Sequence, residues 1–300
     1  MLLEAVSLGY AVPQGDFVAR VHSVFRSSVN LQAEGGDGLL TLISSPPVDL
    51  PQGMRLGTQQ GLDFRDLQPG GHISCRDGIL FFQASPVRVD LREARRWRCN
   101  LVDLNLNLGD PATALAWERA WVQLSDRQRR AEVEIVAEDL FQSNVDARSG
   151  GERRAAPAVR ELIRATRHCD PAAYLAAAKL IGLGTGLTPS GDDLLVGYLA
   201  GLWCTLRGLR DRRRFLASLG RVVIDHSRGT NDISRTYLLH AARGQVASPL
   251  VAAAQAIRNE GEPDQLHQYI ETAMHMGHST GMDSLTGLLL GLAAWDGSVA

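Results

Sequence analysis

Gly182-Leu183-Gly184-Thr185-Gly186-Leu187-Thr188-Pro189-Ser190-Gly191-Asp192-Asp193 joins two helix-like runs. Behind it lies Pro171 to Ile181, rich in Ala and Leu; ahead lies Leu194 to Arg207, apolar and interrupted by Gly197 and Gly201. Glycines at alternate positions allow backbone conformations closed to other residues. Thr-Pro-Ser-Gly-Asp-Asp then reads as a helix start, with Ser190 as the N-cap and Asp193 three residues on, as in a capping box. Backbone N–H groups, small hydroxyls and two carboxylates would meet there. That chemistry suits an anion, or a metal-bridged anion, at a helix N-terminus. Gly184, Gly186, Thr188, Ser190 and Gly191 are the candidate ligand-binding residues of this loop.

A second stretch echoes the first. Ser190 to Leu202 aligns without a gap on Thr280 to Leu292, both reading [Ser/Thr]-Gly-x-Asp-x-Leu-x-Gly-x-Leu-x-Gly-Leu. Each copy has a polar start, an acid in its first turn and two glycines four apart, the spacing that leaves a smooth helix face for close backbone approach. Two core helices sharing good packing chemistry would explain this. The sharper expectation is that they pack together and bring Asp192, Asp193 and Asp283 into one pocket. There the acids would handle protons, or hold Mg²⁺ as ligands to a phosphorylated substrate. No other cofactor is expected.

Two polar segments accompany these stretches. His278-Ser279-Thr280 runs directly into the echo, and His278 is a candidate acid–base residue. Thr230 to Thr236 contains Asn231 and Arg235, which can be a helix cap and its neighbour, or a clamp for a carboxylate or phosphate.

The rest of the chain divides in two. Residues 1–108 show short alternating runs between turn signals: Phe17 to Phe25, Leu39 to Ser44, His72 to Cys75, Ile79 to Gln83 and Val87 to Leu91, with a hairpin signal at Asp77-Gly78. Asn100 to Leu108 reads as a last strand. Residues 109–300 are helical in pattern, from an Asp110-Pro111 start through Ala112 to Leu124 and Asp126 to Phe141. A Gly- and Arg-rich loop at Arg148 to Ala156 precedes the remaining helices. The fold class expected is α+β: a small barrel- or sandwich-like β domain followed by an all-helical domain. His22, Ser23 and Asn30 are weaker site candidates on the β domain, because a lone strand histidine is more often structural.

Composition narrows the function. The 300 residues carry a net charge of −2, and 45% are apolar, an ordinary globular balance that calls for neither nucleic acid nor a membrane surface. The basic run Arg92 to Arg98 fits a solvated face better than a nucleic-acid patch. Four cysteines without a CxxC pair argue against zinc and for a reducing compartment. No signal-peptide pattern and no run of about 18 apolar residues is present, so the expected location is cytoplasmic.

The glycine loop, taken with Val21-His22-Ser23-Val24-Phe25, Asn30-Leu31, Thr230 to Arg235 and Gly277 to Asp283 in the same order, resembles a bacterial family over nearly the whole chain. The family includes AllH, a subunit of the oxamate carbamoyltransferase of anaerobic allantoin breakdown. Thr185 departs from it, standing where proline is commoner. The resemblance implies a multi-subunit enzyme of purine catabolism that splits oxalurate with phosphate to oxamate and carbamoyl phosphate, or the reverse. Partner subunits and a small anionic substrate follow from it. Two rivals remain: a ribokinase-like kinase using Ser190-Gly191-Asp192 as its anion hole, and a scaffold subunit without turnover.

Overall fold

The computed structural model describes residues 1–57, 63–83, 85–131, 135–140, 150–258, 263–277 and 279–295, the side chains of 150–154 and 263 excepted. The chain forms two units, Met1–Cys99 and Asn100–Ala300.

The first unit is a barrel. Its strands are β1 (Leu2–Gly9), β2 (Phe17–Val24), β3 (Ser28–Ala33), β4 (Leu39–Ile43), β5 (Gly53–Leu56), β6 (His72–Arg76), β7 (Ile79–Phe82), β8 (Arg88–Asp90) and β9 (Arg95–Trp97). Neighbours run β5-β4-β3-β2-β6-β7-β8-β1, and β1 returns to pair with β5, closing eight strands into a ring. Closure leaves no free edge among those eight. On its other edge β1 pairs first with β8, through Leu2 to Glu4, then with β9, through Ser7 to Gly9. The core is the inward set expected from period-two alternation, including Leu3, Ala5, Ala19, Val21, Val29, Leu31, Leu42, Met54, Ile73, Leu80 and Val89.

The five strand candidates are all present, but β1, β3, β5 and β9 add to them. β1 is written in Leu, Glu and Ala, residues of weak β-propensity, so its alternation carried little signal. Asn100 to Leu108 is not a strand. It contains a 3₁₀ turn, Val102–Leu104, closed by Asn105 at φ 46°. The arginines of the basic run are engaged within the barrel: Arg92 pairs with Asp90, Arg95 with Asp49, and Arg96 with the Tyr10 and Val12 carbonyls.

The second unit is helical throughout its described residues: α1 (Pro111–Arg129), α2 (Gly150–Arg167), α3 (Ala172–Leu180), α4 (Ser190–Cys204), α5 (Arg210–His226), α6 (Asp232–Ala241), α7 (Ser248–Arg258), α8 (Pro263–Met274) and α9 (Thr280–Ala293). Asp110 caps α1, its carboxylate accepting from the Thr113 N–H at 3.3 Å. The two helices expected from Ala112 to Phe141 are one, ending at Arg129. The buried Gln128 side chain then binds the Ile135 carbonyl and the Ala137 N–H, which turns the chain away from the helix axis. The expected loop at Arg148 to Ala156 is helical from Gly150, its first two residues lying outside the described residues. Ala155, Ala158, Val159, Leu162 and Ala165 form a buried stripe along α2, and burial of that stripe outweighs the Gly and Pro penalties.

Helices α4 and α9 are the centre of this unit. Nearly every residue of both is buried, as expected for helices apolar all round. They run parallel, glycine against glycine. A Cβ on Gly197 would stand 1.8 Å from the Ser284 carbonyl oxygen, and one on Gly287 would stand 1.9 Å from that of Leu194. Gly201 and Gly291 repeat the contact further along, each without room for a methyl group. The sequence echo is therefore a packing interface between the two copies. Helices α3, α5 and α6 pack on α4, while α1 and α8 pack on α9 and α7 touches both. The Trp117 indole on α1 binds the Leu289 carbonyl at 2.9 Å, and the Tyr198 hydroxyl reaches Thr166 on α2 at 2.7 Å.

Gly287→Ala is expected to destabilise the helical unit by ~3 kcal/mol or more, since neither backbone can yield to a contact of that length. Gly15→Ala, with open space around it, is expected to stay within about 0.5 kcal/mol of wild type. Urea unfolding followed by helical circular dichroism measures both.

Candidate functional site

The parallel register puts the first turns of α4 and α9 side by side, and each first turn carries an acid. Asp193 is 3% exposed and Asp283 is fully buried. Above them the loop 182–189 climbs to an exposed tip at Thr185, Gly186 and Leu187. Three residues of the loop hold positive φ: Gly182 at 73°, Gly184 at 118° and Gly186 at 88°. At Gly182 the requirement is double, because a Cβ would meet the Gly229 carbonyl oxygen at 2.7 Å.

Asp192 anchors the loop. One carboxylate oxygen accepts the Gly182 N–H at 2.8 Å, and the other accepts the Thr230 hydroxyl at 2.6 Å. It ties the loop to the segment leading into α6. Burial raises its pKa, while the Thr230, Gly182 and Ser234 hydrogen bonds pull it back down. Each Asp192 oxygen thus accepts one hydrogen bond from within the fold. Among the described residues no three His, Cys, Asp or Glu side chains form a group able to hold a metal ion.

The helix starts differ from the capping expected. Pro189, not Ser190, is the N-cap of α4, and no side chain caps it. Ser190 is the first helical residue and is buried. Asp193 makes no capping bond; its own N–H donates to the Pro189 carbonyl at 3.1 Å. Ser279 occupies the corresponding position before α9, again without a side-chain cap. Gly191 does not present its N–H to a ligand. That group donates to the Leu183 carbonyl at 2.8 Å, and a Cβ would strike the Leu180 carbonyl oxygen at 2.2 Å. Gly191 lets the incoming chain lie against the helix start.

Asp193 and Asp283 are the two buried acids of these helix starts. Thr188 from the loop and Thr280 from α9 join hydroxyls at 2.7 Å, stitching the loop to the second helix. Burial pushes the Asp193 carboxyl well above its ordinary range. Its neighbour Asp283 pushes the same way, and the Thr188 and Thr280 hydroxyls oppose both. Burial and Asp283 both favour the protonated form of Asp193. Asp193 Oδ2 has no hydrogen-bond partner. In a buried group an unused acceptor is costly unless something else fills it.

Helix α6 closes one side. Asn231 caps it, its side-chain oxygen accepting the Ile233 and Ser234 N–H groups at 3.0 and 3.1 Å. Arg235 is half-buried, and its Nε lacks a partner. Tyr237, absent from the sequence-derived candidates, feels the Asp193 charge; burial and that charge push its phenol up to about 12. Tyr237 stands one residue beyond the polar segment Thr230 to Thr236 that the sequence singles out. His278 lies outside the described residues. His22, Ser23 and Asn30 belong to the barrel, not to this helical unit.

The chain is thus a closed barrel followed by a helical unit with two buried acids beneath an exposed glycine loop. Family models match it in the same two places. Residues 4–96 match the AllH family N-terminal domain, and residues 180–292 match the oxamate carbamoyltransferase subunit AllH. The chain belongs to the AllH family, described as a subunit of oxamate carbamoyltransferase. No solved structure matches it. The family expected from the glycine loop is thus the family found. The ribokinase-like reading falls, because the Asp192 unit has no strand among its described residues and such a kinase needs a large sheet with helices packed around it. No helix among the described residues is long and apolar enough to cross a membrane.

An acid whose pKa is raised on folding holds its proton more tightly folded than unfolded. Its ionisation as pH rises from the ordinary carboxylate range towards the folded value therefore costs stability. Asp193→Asn removes that cost. The variant is expected to exceed wild type by ~1 kcal/mol or more near pH 8, the gain shrinking towards pH ~4. Urea unfolding at both pH values tests this, and equal stabilities near pH 8 would mean that Asp193 is ionised and compensated.

Proposed function

We propose that the helical unit binds the small anionic substrate of a carbamoyltransferase and handles the proton of the transfer. The reaction is oxalurate plus phosphate to oxamate plus carbamoyl phosphate, in either direction. The observation that carries this reading is the buried Asp193–Asp283 pair at two parallel helix starts, with Asp193 Oδ2 unused.

The chemistry fits the groups present. A phosphate oxygen attacks the carbamoyl carbon of oxalurate, and the carbonyl oxygen takes up negative charge. The C–N bond to oxamate then breaks, and its nitrogen must leave protonated. A carboxyl pair holding one proton is a suitable acid, and the same pair accepts the proton in the reverse direction. Positive potential from the two helix N-termini offsets the remaining negative charge and favours an anion nearby. The half-buried Arg235, with a spare Nε donor, suits a carboxylate or phosphate oxygen. The exposed loop tip at Gly186 gives the ligand its approach to the backbone. Partner subunits complete the enzyme in this reading.

Thermal unfolding of the chain with phosphate, carbamoyl phosphate or oxalurate, each with and without Mg²⁺, tests the site. A ligand at about 100 times its dissociation constant stabilises by ~2.7 kcal/mol. A shift with carbamoyl phosphate or oxalurate, lost in Asp193→Asn and reduced in Arg235→Gln, is the expected result. Reconstitution with partner subunits then separates catalysis from scaffolding: Asp193→Asn should lower kcat by about 100-fold or more with assembly intact. Unchanged turnover in that complex would sink the catalytic reading and leave a scaffold.

A further inference from the structure

The barrel carries a second cluster of reactive side chains. Strand β2 is bulged: Val21 pairs with Leu31 and Ser23 pairs with Asn30, so His22 is an extra residue without a Cα partner on β3. Neighbouring residues on a regular strand point to opposite faces. A bulge breaks that rule and re-aims a side chain, which is how His22 and Ser23, adjacent in sequence, come to touch. Nδ1 of His22 lies 3.2 Å from Ser23 Oγ.

The contact continues across the sheet as a directed row. Ser23, Asn30 and Thr41 are successive cross-strand partners on β2, β3 and β4. The Thr41 hydroxyl donates to Asn30 Oδ1 at 2.9 Å, and the Asn30 amide donates to Ser23 Oγ at 3.0 Å. Ser23 Oγ accepts from Asn30 and keeps its own hydrogen to donate, and His22 Nδ1 accepts that hydrogen in the tautomer that carries the ring proton on Nε2. Asn30 and Thr41 are buried, at 5% and 7% exposure, so the far end of the row is fixed. Ser23 is half-buried and His22 is exposed, so the near end is open to a small reagent. A hydroxyl whose proton points at an imidazole, held by a third group, is the arrangement that activates a serine.

We propose that Ser23 is a nucleophile with His22 as its general base, forming an acyl-accepting centre on the barrel for small activated carbonyl compounds such as acyl phosphates. In the step, Ser23 Oγ bonds to the carbonyl carbon and its proton moves to His22 Nδ1. The bond from that carbon to the leaving oxygen breaks, and the leaving group departs with the electron pair. Asn30 is a positioning residue: it sets the direction of the serine hydroxyl without touching the substrate. The proposal stands on the barrel alone and is independent of the acid pair in the helical unit.

The test uses the full-length chain with p-nitrophenyl acetate, whose p-nitrophenolate is read by colour, followed by peptide mass spectrometry. The expected result is a stoichiometric burst with the acetyl group on Ser23. Ser23→Ala abolishes the burst, and His22→Gln slows it by about 100-fold or more. Asn30→Asp should slow it too, because a carboxylate cannot donate to Ser23 and instead draws the serine proton away from His22. Circular dichroism and the melting temperature confirm folding of each variant. Carbamoyl phosphate replaces the ester in a second arm, read as a carbamoyl group on Ser23. Acetylation at His22 or Lys179 in place of Ser23, or a burst unchanged in Ser23→Ala, overturns the proposal. So does a Ser23 labelling rate that His22→Gln leaves unaltered.

Discussion

The helical unit depends on two backbones touching. Gly197 and Gly201 on α4 lie against α9, and Gly287 and Gly291 on α9 lie against α4, at distances that exclude a single methyl group. Contact this close fixes both the register and the direction of the pair. Because the pair is parallel and offset by the interval between the two sequence copies, the two first turns must coincide in space. Everything chemically notable in the unit follows from that coincidence.

Two parallel helix starts set partial positive charges side by side, an unfavourable arrangement unless negative groups lie among them. Asp193 and Asp283 supply those groups and meet a second conflict with each other. Burial and repulsion from Asp283 raise the Asp193 pKa. The unit thus holds two acids, two helix ends and an unused Asp193 oxygen under an exposed glycine tip. The packing that joins the helix pair is also what buries the two acids. Asp192, one residue away, has a different fate. Its oxygens accept from Gly182 and Thr230, so it holds the loop to the segment before α6.

Much of this was legible in the chain itself. The two-part architecture could be read from the switch between strand-like and helical patterning, and the family from the glycine loop. The copy at 280–292 announced its partner at 190–202. What failed did so for local physical reasons. β1 is built from poor strand formers and exists because both its edges find partners. The helix break after Arg129 is made by a buried Gln128 that binds the chain beyond it. The cap at Pro189 displaced Ser190 because Pro189 lies extended, with φ −54° and ψ 139°, while its carbonyl already accepts the Asp193 N–H.

The sequence by itself determined which residues repeat, where backbone freedom is needed and which acids stand in first turns, because those properties are local or periodic. Only the tertiary structure decided how the three acids are partnered. Adjacent aspartates are equivalent in a sequence motif, but helix geometry turns one towards the Gly182 and Thr230 donors and the other towards Asp283. The same holds in the barrel. A register shift in the pairing of β2 with β3 brought the His22 and Ser23 side chains together.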